Sequence, residues 1–150
     1  MTREKSIDIK PGDTFHGPSK TLTDAHFLLF SGVTGDVHPI HYDVEYARQS
    51  HYGKPLAHGL LLTSLTALGA SSGRELIDGF IFVEQGCRFL MPALVGDTVR
   101  PQFVVEKIWN EEHRRFCRFT TSLLNQRGEK LLEGFHVYRV MEHKTTPEQG

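Results

Sequence analysis

Apolar positions along the chain fall into two regimes that change over near residue 79. Before that point they recur at roughly helical spacing; after it they alternate. Phe27, Leu28 and Phe30 follow Thr23 and Asp24, which predicts a short helix from Asp24 to about Ser31. Thr23 would be its N-cap, Asp24 would favour the first turn, and Gly32 and Gly35 would end it. Asp43 is placed to cap a second short helix, Val44 to Gln49. From His58 to about Ser72, the residues Leu60, Leu61, Leu62, Leu65, Ala67, Leu68 and Ala70 cover most of a helical circumference. A helix apolar nearly all round is a buried helix, so this run reads as core, weakening at Gly69 and ending at Gly73.

After Gly79 the chain is rich in Val, Phe, Ile and Thr. Phe80 to Met91, Thr98 to Trp109, Arg115 to Leu124 and Lys130 to Met141 read as four long antiparallel strands, separated by G-D, N-E-E and N-Q-R-G turns. Val99, Phe103 and Val105 share one face; Phe135 and Val137 share another. Thr14 to Lys20 adds an edge strand interrupted by Gly17 and Pro18. The expected architecture is therefore α+β: one long buried helix across an antiparallel sheet of about five strands, in a single domain over residues 1–150. Residues 1–12 and 142–150 are expected to be poorly ordered tails. One helix can cover only one face of such a sheet, so apolar residues elsewhere would favour association with a second copy.

Composition narrows the classes. The 150 residues carry a net charge of -1, which gives no general attraction to nucleic acid. No apolar run is long enough to span a bilayer, so no membrane role is expected. The first 15 residues lack an apolar signal region, and two cysteines, Cys87 and Cys117, are too few to staple the fold. A cytoplasmic protein with two inert thiols is the expectation.

The chemistry-bearing residues cluster between Asp36 and the start of the long helix. Asp36 and His41 are five residues apart. On an α-helix they would point about 140° away from each other, and on a strand they would face opposite ways. A turn around Pro39, with Gly35 supplying unusual backbone angles, can aim both at one space as an acid/base pair. Ala57-His58-Gly59 opens the apolar helix. Its first N–H groups have no intrahelical partner and lie at the positive end of the helix dipole. Gly59 has no side chain to block a ligand, so a carbonyl placed there would be polarised as in an oxyanion hole.

The stretch S-G-V-T-G-D-V-H-P-I-H-Y-D, then Y-A, then G-K-P-L-A-H-G, resembles the signature of the MaoC-like dehydratases, which include the R-specific enoyl-CoA hydratases. F-L-M-P-A-L-V-G-D-T-V, residues 89–99, resembles a later segment of the same family. The resemblance spans about residues 12–141. It implies a hot-dog fold, with the sheet wrapped around the helix and two subunits sharing a continuous sheet, as a homodimer or a trimer of dimers. It implies acyl-CoA substrates from fatty acid metabolism, with coenzyme A entering only as part of the substrate and no metal or redox cofactor. Carried onto this chain, Asp36 and His41 become the dyad that activates water in syn hydration of a trans-2-enoyl thioester. Gly59 would hold the thioester oxygen, with His58 and His38 as further substrate-binding candidates. His38 departs from the family pattern, which has an Asn there. Some members place a helix hydroxyl near the dyad; here Ser64 and Thr66 are near, but Ala67 stands at that position.

Plainer readings stand beside these. Asp36 could simply cap a turn. Asp36, His38 and His41 do not match a familiar zinc spacing. His58 could cap or pack at the helix start, ordering the loop. Arg48, Lys54, Arg88 and the Arg114–Arg115 pair could meet coenzyme A phosphates, but each alone reads as a surface charge. A thioesterase on the same fold, or a non-catalytic acyl-thioester-binding subunit encouraged by His38, are the alternatives to a hydratase.

Overall fold

The computed structural model describes residues 8–141; the expectation of a tail over 142–150 lies outside them, as do the first seven residues of the N-terminal stretch. The chain runs β1 (Thr14–His16), β2 (Lys20–Thr21), α1 (Asp24–Thr34), a 3-10 turn (Pro39–His41), α2 (Val44–Arg48), α3 (Gly59–Leu65), a second 3-10 turn (Leu68–Ala70), then β3 (Phe80–Phe89), β4 (Thr98–Glu111), β5 (Arg114–Leu124) and β6 (Lys130–Val140). All pairings are antiparallel, in the order β1-β4-β5-β6-β3, with β2 also on β4. This is the α+β arrangement expected of the sequence. The four long strands fall where the alternation places them, within two residues at each end. No helix among the described residues is long and apolar enough to cross a membrane.

On β4 the residues Val99, Phe103 and Val105 are buried, as their shared parity requires, and Cys117, Phe119, Thr121 and Leu123 match them on β5. One core cluster packs Leu61 and Leu62 of α3 with Val99, Leu123, Leu131 and Leu132 of the sheet and Leu22 and Phe27 beside it. A second surrounds Phe103, Phe119 and Tyr138, and takes in Ile9 from the N-terminal stretch. Gly12 donates its N–H to Val105 O at 2.8 Å, so the chain is already packed on the sheet before β1.

Two elements differ from expectation. Helix α1 runs through Gly32 to Thr34 and ends at Gly35, whose left-handed φ of 78° and N–H to Ser31 O close it. One internal glycine costs a helix only about 1 kcal/mol, so it does not by itself end one. Helix α3 covers seven residues rather than fifteen. Its Thr66 hydroxyl donates to Thr63 O at 2.6 Å and meets His136 Nε2 at 3.2 Å, a buried anchor that fixes Thr66 at a non-helical ψ of 57°. The chain resumes only as one 3-10 turn at Leu68–Ala70. Nor is α3 buried all round: Leu61 and Leu62 face the sheet, while Leu60 is largely exposed. Strand β3 lies at the end of the sheet, with Ile81, Phe82 and Val83 half exposed.

Candidate active site

Residues 35–42 form a turn built by local rules. Asp36 N–H donates to Thr34 Oγ1 at 3.1 Å, and Asp36 Oδ1 accepts from His38 N–H at 3.3 Å. His38 takes the extended ψ of 131° that a following proline favours. Pro39 then opens a single 3-10 turn, which His38 caps: its Nδ1 accepts from Ile40 N–H at 3.2 Å. The turn ends on His41, which is buried, and returns to the chain ahead of α3 through Leu56 N–H to Ile40 O at 3.1 Å.

That geometry brings Asp36 and His41 together. His41 Nε2 stands 3.8 Å from Asp36 Oδ2. His41 Nδ1 lies 2.6 Å from Leu56 O, an atom that can only accept, so Nδ1 carries the hydrogen and the neutral ring presents its Nε2 lone pair toward the carboxylate. The Asp36 side chain is about half exposed, at 52%, and His41 is 11% exposed, so the pair sits at the mouth of the site with the imidazole recessed.

His58 lies beneath. Its ring stacks on that of His41, with centroids 3.7 Å apart and planes within 17°. Its Nε2 is 3.0 Å from Ser31 Oγ and 3.3 Å from Asp36 O. Burial, and then the charge of a protonated His41, hold its pKa below the ordinary histidine value; the contact with the Asp36 carbonyl opposes this more weakly. His58 thus packs at the helix start and orders the loop. Gly59 follows as the first residue of α3, where its N–H has no intrahelical acceptor. A Cβ there would come within 3.3 Å of the Phe89 ring.

His38 sits at the edge, 6.2 Å from His41 and 5.6 Å from Tyr46 between ring centroids. It caps the turn with a ring nitrogen, a task an Asn carboxamide oxygen could equally perform. Its presence therefore leaves the turn intact and gives no ground for a non-catalytic site. Ser64 donates its hydroxyl to Leu60 O, and Thr66 is committed to Thr63 and His136. Arg48 pairs with Glu45 at 2.8 Å, and Arg114 and Arg115 lie at the β4–β5 hairpin end. Cys87 is exposed, and Cys117 is buried with its thiol pushed up to about 12 by burial.

Donor atoms of Asp36, His41 and His58 lie within 4.8 Å of one another. A metal bound by imidazole sits close to the ring plane, about 2.0–2.1 Å from the nitrogen. Two stacked, nearly parallel rings have no common point at that distance, so this arrangement does not fit one ion held by all three.

Sequence reasoning did not single out Ser31 or the Leu56 carbonyl. Ser31 had a signal: it lies four residues after Phe27 and is the other buried residue of α1. The Leu56 carbonyl had none, because a backbone acceptor has no sequence mark.

Residues 7–125 match the family described as MaoC like domain. The (R)-specific enoyl-CoA hydratase of Rhodospirillum rubrum is 31% identical over 128 residues, covering 85% of each chain. The protein of the same name from Aeromonas caviae is 28% identical over 123 residues, 81% of this chain and 89% of its own. Among solved structures, the (R)-hydratase from A. caviae involved in PHA biosynthesis superposes with a TM-score of 0.80 at 26% identity, covering 91% of this chain and all of that one.

Proposed function

The chain belongs to the MaoC like domain family, and from that membership we propose that it adds water to a trans-2-enoyl-CoA to give an (R)-3-hydroxyacyl-CoA, or runs the reverse dehydration. The observation that carries this reading is the facing pair Asp36 Oδ2 and His41 Nε2 at 3.8 Å, with His41 Nδ1 tied to Leu56 O. The gap is too long for a direct hydrogen bond, but one water can lie about 2.8 Å from both atoms.

In the forward direction the thioester oxygen takes the Gly59 N–H, which draws electrons from the double bond and makes C3 electrophilic. The water oxygen bonds to C3 as the dyad removes its proton, and the C2–C3 π electrons move onto the thioester as an enolate. The enolate collapses as C2 takes a proton from the dyad on the same face. Atoms and charge balance without a redox group, so coenzyme A enters only as part of the substrate. His41 works as the neutral base its hydrogen bond defines, and ionised Asp36 orients the water and stabilises the imidazolium.

A second copy would pair along β3, the strand at the end of the sheet, where Ile81, Phe82 and Val83 are half exposed. Sedimentation analysis tests this directly, a stable monomer being the contrary result.

The deciding assay follows loss of the enoyl chromophore of crotonyl-CoA and longer homologues, with chiral analysis of the product. The proposal expects an (R)-3-hydroxyacyl-CoA and no free thiol. Release of coenzyme A at the rate of substrate loss would instead identify a thioesterase. Binding without turnover across an acyl-chain panel would make the chain a thioester-binding subunit.

A further inference from the structure

His58 is only 2% exposed and occupies the residue ahead of α3, at φ -60° and ψ 138°. His41 lies flat against one part of its environment, and Phe30 and Phe27 of α1 meet its ring edge-on, at centroid distances of 5.0 and 6.4 Å. The groups facing it are therefore His41 from the 3-10 turn, Asp36 from the loop, and Ser31 with the two phenylalanines from α1. Helix α3 itself carries no charged side chain.

The hydrogen bonds fix its proton. Asp36 O is a carbonyl oxygen and can only accept, so the contact at 3.3 Å requires the hydrogen on His58 Nε2. Ser31 Oγ, at 3.0 Å, shares that donor. His58 Nδ1 is buried and has no hydrogen-bond partner among the described residues. A bare lone pair there is tolerable. A second proton would place an unsatisfied N–H in the interior and a positive charge face to face with His41. Both penalties act against the same state.

We propose that His58 is the positioning residue of the Asp36–His41 pair: a neutral Nε2–H imidazole that clamps the Asp36 backbone through its carbonyl and supplies the flat floor on which the His41 ring lies. The Leu56 carbonyl fixes one corner of the His41 ring but leaves it free to swing about that bond. The stack removes the swing and keeps the Nε2 lone pair aimed at the carboxylate. One side chain thus restrains both members of the pair, the acid through its main chain and the base through its plane. Because His58 stays neutral, His41 can carry a proton during turnover without a like charge behind it.

The catalytic consequence rests on the hydratase reading, but the proton assignment does not, and the two are tested separately. Long-range proton–nitrogen correlation on the uniformly labelled whole chain reports each imidazole's tautomer. His58 is expected to stay in the neutral Nε2–H form from about pH 8 down through 6.5, the ordinary histidine value, because burial lowers its pKa. An Nδ1–H tautomer, or uptake of a proton by His58 within that range while the fold persists, overturns the proposal whether or not the chain hydrates anything.

Kinetics supply the second arm. His58→Gln keeps an N–H donor at similar reach and removes the ring; His58→Phe keeps a flat ring and removes the donor. Each is expected to lower kcat by about tenfold or more with little change in KM, since a loosened reacting group costs rate rather than affinity. A folded His58→Gln protein with the parent's kcat overturns the proposal. Absence of hydration in the parent counts against the hydratase reading alone.

Discussion

Asp36 Oδ2 faces His41 Nε2 across 3.8 Å, near enough to share one water and too far to bond directly. Asp36→Asn leaves that distance available and still offers Oδ1 to the His38 N–H, so the turn should survive. What disappears is the negative charge. Hydration of the best enoyl-CoA is expected to fall by about 10²- to 10⁴-fold, the usual worth of a positioned acid/base group. The thermal midpoint should stay near the parent's, because the side chain is half exposed. Parent-like turnover in the folded variant would remove Asp36 from the chemistry.

His38 gives a different outcome. Its Nδ1 caps the Pro39–His41 turn by accepting from Ile40 N–H at 3.2 Å. His38→Asn retains a capping oxygen and should keep activity within a few-fold of the parent. His38→Leu removes the acceptor, which costs about 1 kcal/mol for a lost cap. A drop of about 2–4 °C in thermal midpoint is expected for a chain of this size. Activity should fall with it, because the turn carries His41. Differential scanning calorimetry beside the enoyl-CoA assay checks both, and equal behaviour of the two variants would count against the capping role.

Acid stability should reflect His136. Burial holds its pKa at about 4, with Nε2 on Thr66 and Nδ1 near the Tyr138 hydroxyl. The unfolded chain binds a proton at the ordinary histidine value while the folded chain does not, so stability is present above about pH 6.5 and is lost as the pH falls toward 4. Urea titrations at pH 7 and 4.5 should differ by about 2–3 kcal/mol from this group. His58, shifted in the same direction, adds to that slope. His136→Gln should be less stable at pH 7 yet show a flatter slope; an undiminished slope would place the proton uptake elsewhere.

The strands were legible because alternation is a local pattern that burial on one face enforces: Val99, Phe103 and Val105 lie on one side wherever β4 pairs. The Asp36–His41 turn was legible because Pro39 restricts the backbone and Gly35 permits the left-handed φ of 78° just ahead of Asp36, whatever surrounds them. The end of α3 was not, because it depends on Thr66 meeting His136, a contact between residues far apart in sequence that no periodicity encodes. The stack of His58 on His41 has the same character. Two histidines in one segment suggest a ligand set, but only the return of Leu56 onto Ile40 lays their rings face to face.

Gly59 permits a test of the amide that leaves the helix in place. It is the first residue of α3, the position where proline is best tolerated because that N–H has no helical acceptor. The preceding residue, His58, already has the extended φ of -60° and ψ of 138° that a following proline demands. Gly59→Pro therefore deletes the N–H proposed to hold the thioester oxygen while suiting the local backbone. Its Cβ would crowd the Phe89 ring at 3.3 Å, and Gly59→Ala, which crowds the same ring but keeps the amide, isolates that effect. Phe89 is half exposed and can yield, so Gly59→Ala should stay folded and active within a few-fold. Gly59→Pro should stay folded and lose about 10²- to 10³-fold in kcat, the cost of removing one oxyanion donor. Equal losses in the two variants would trace the effect to Phe89, and the thioester oxygen would then need another donor.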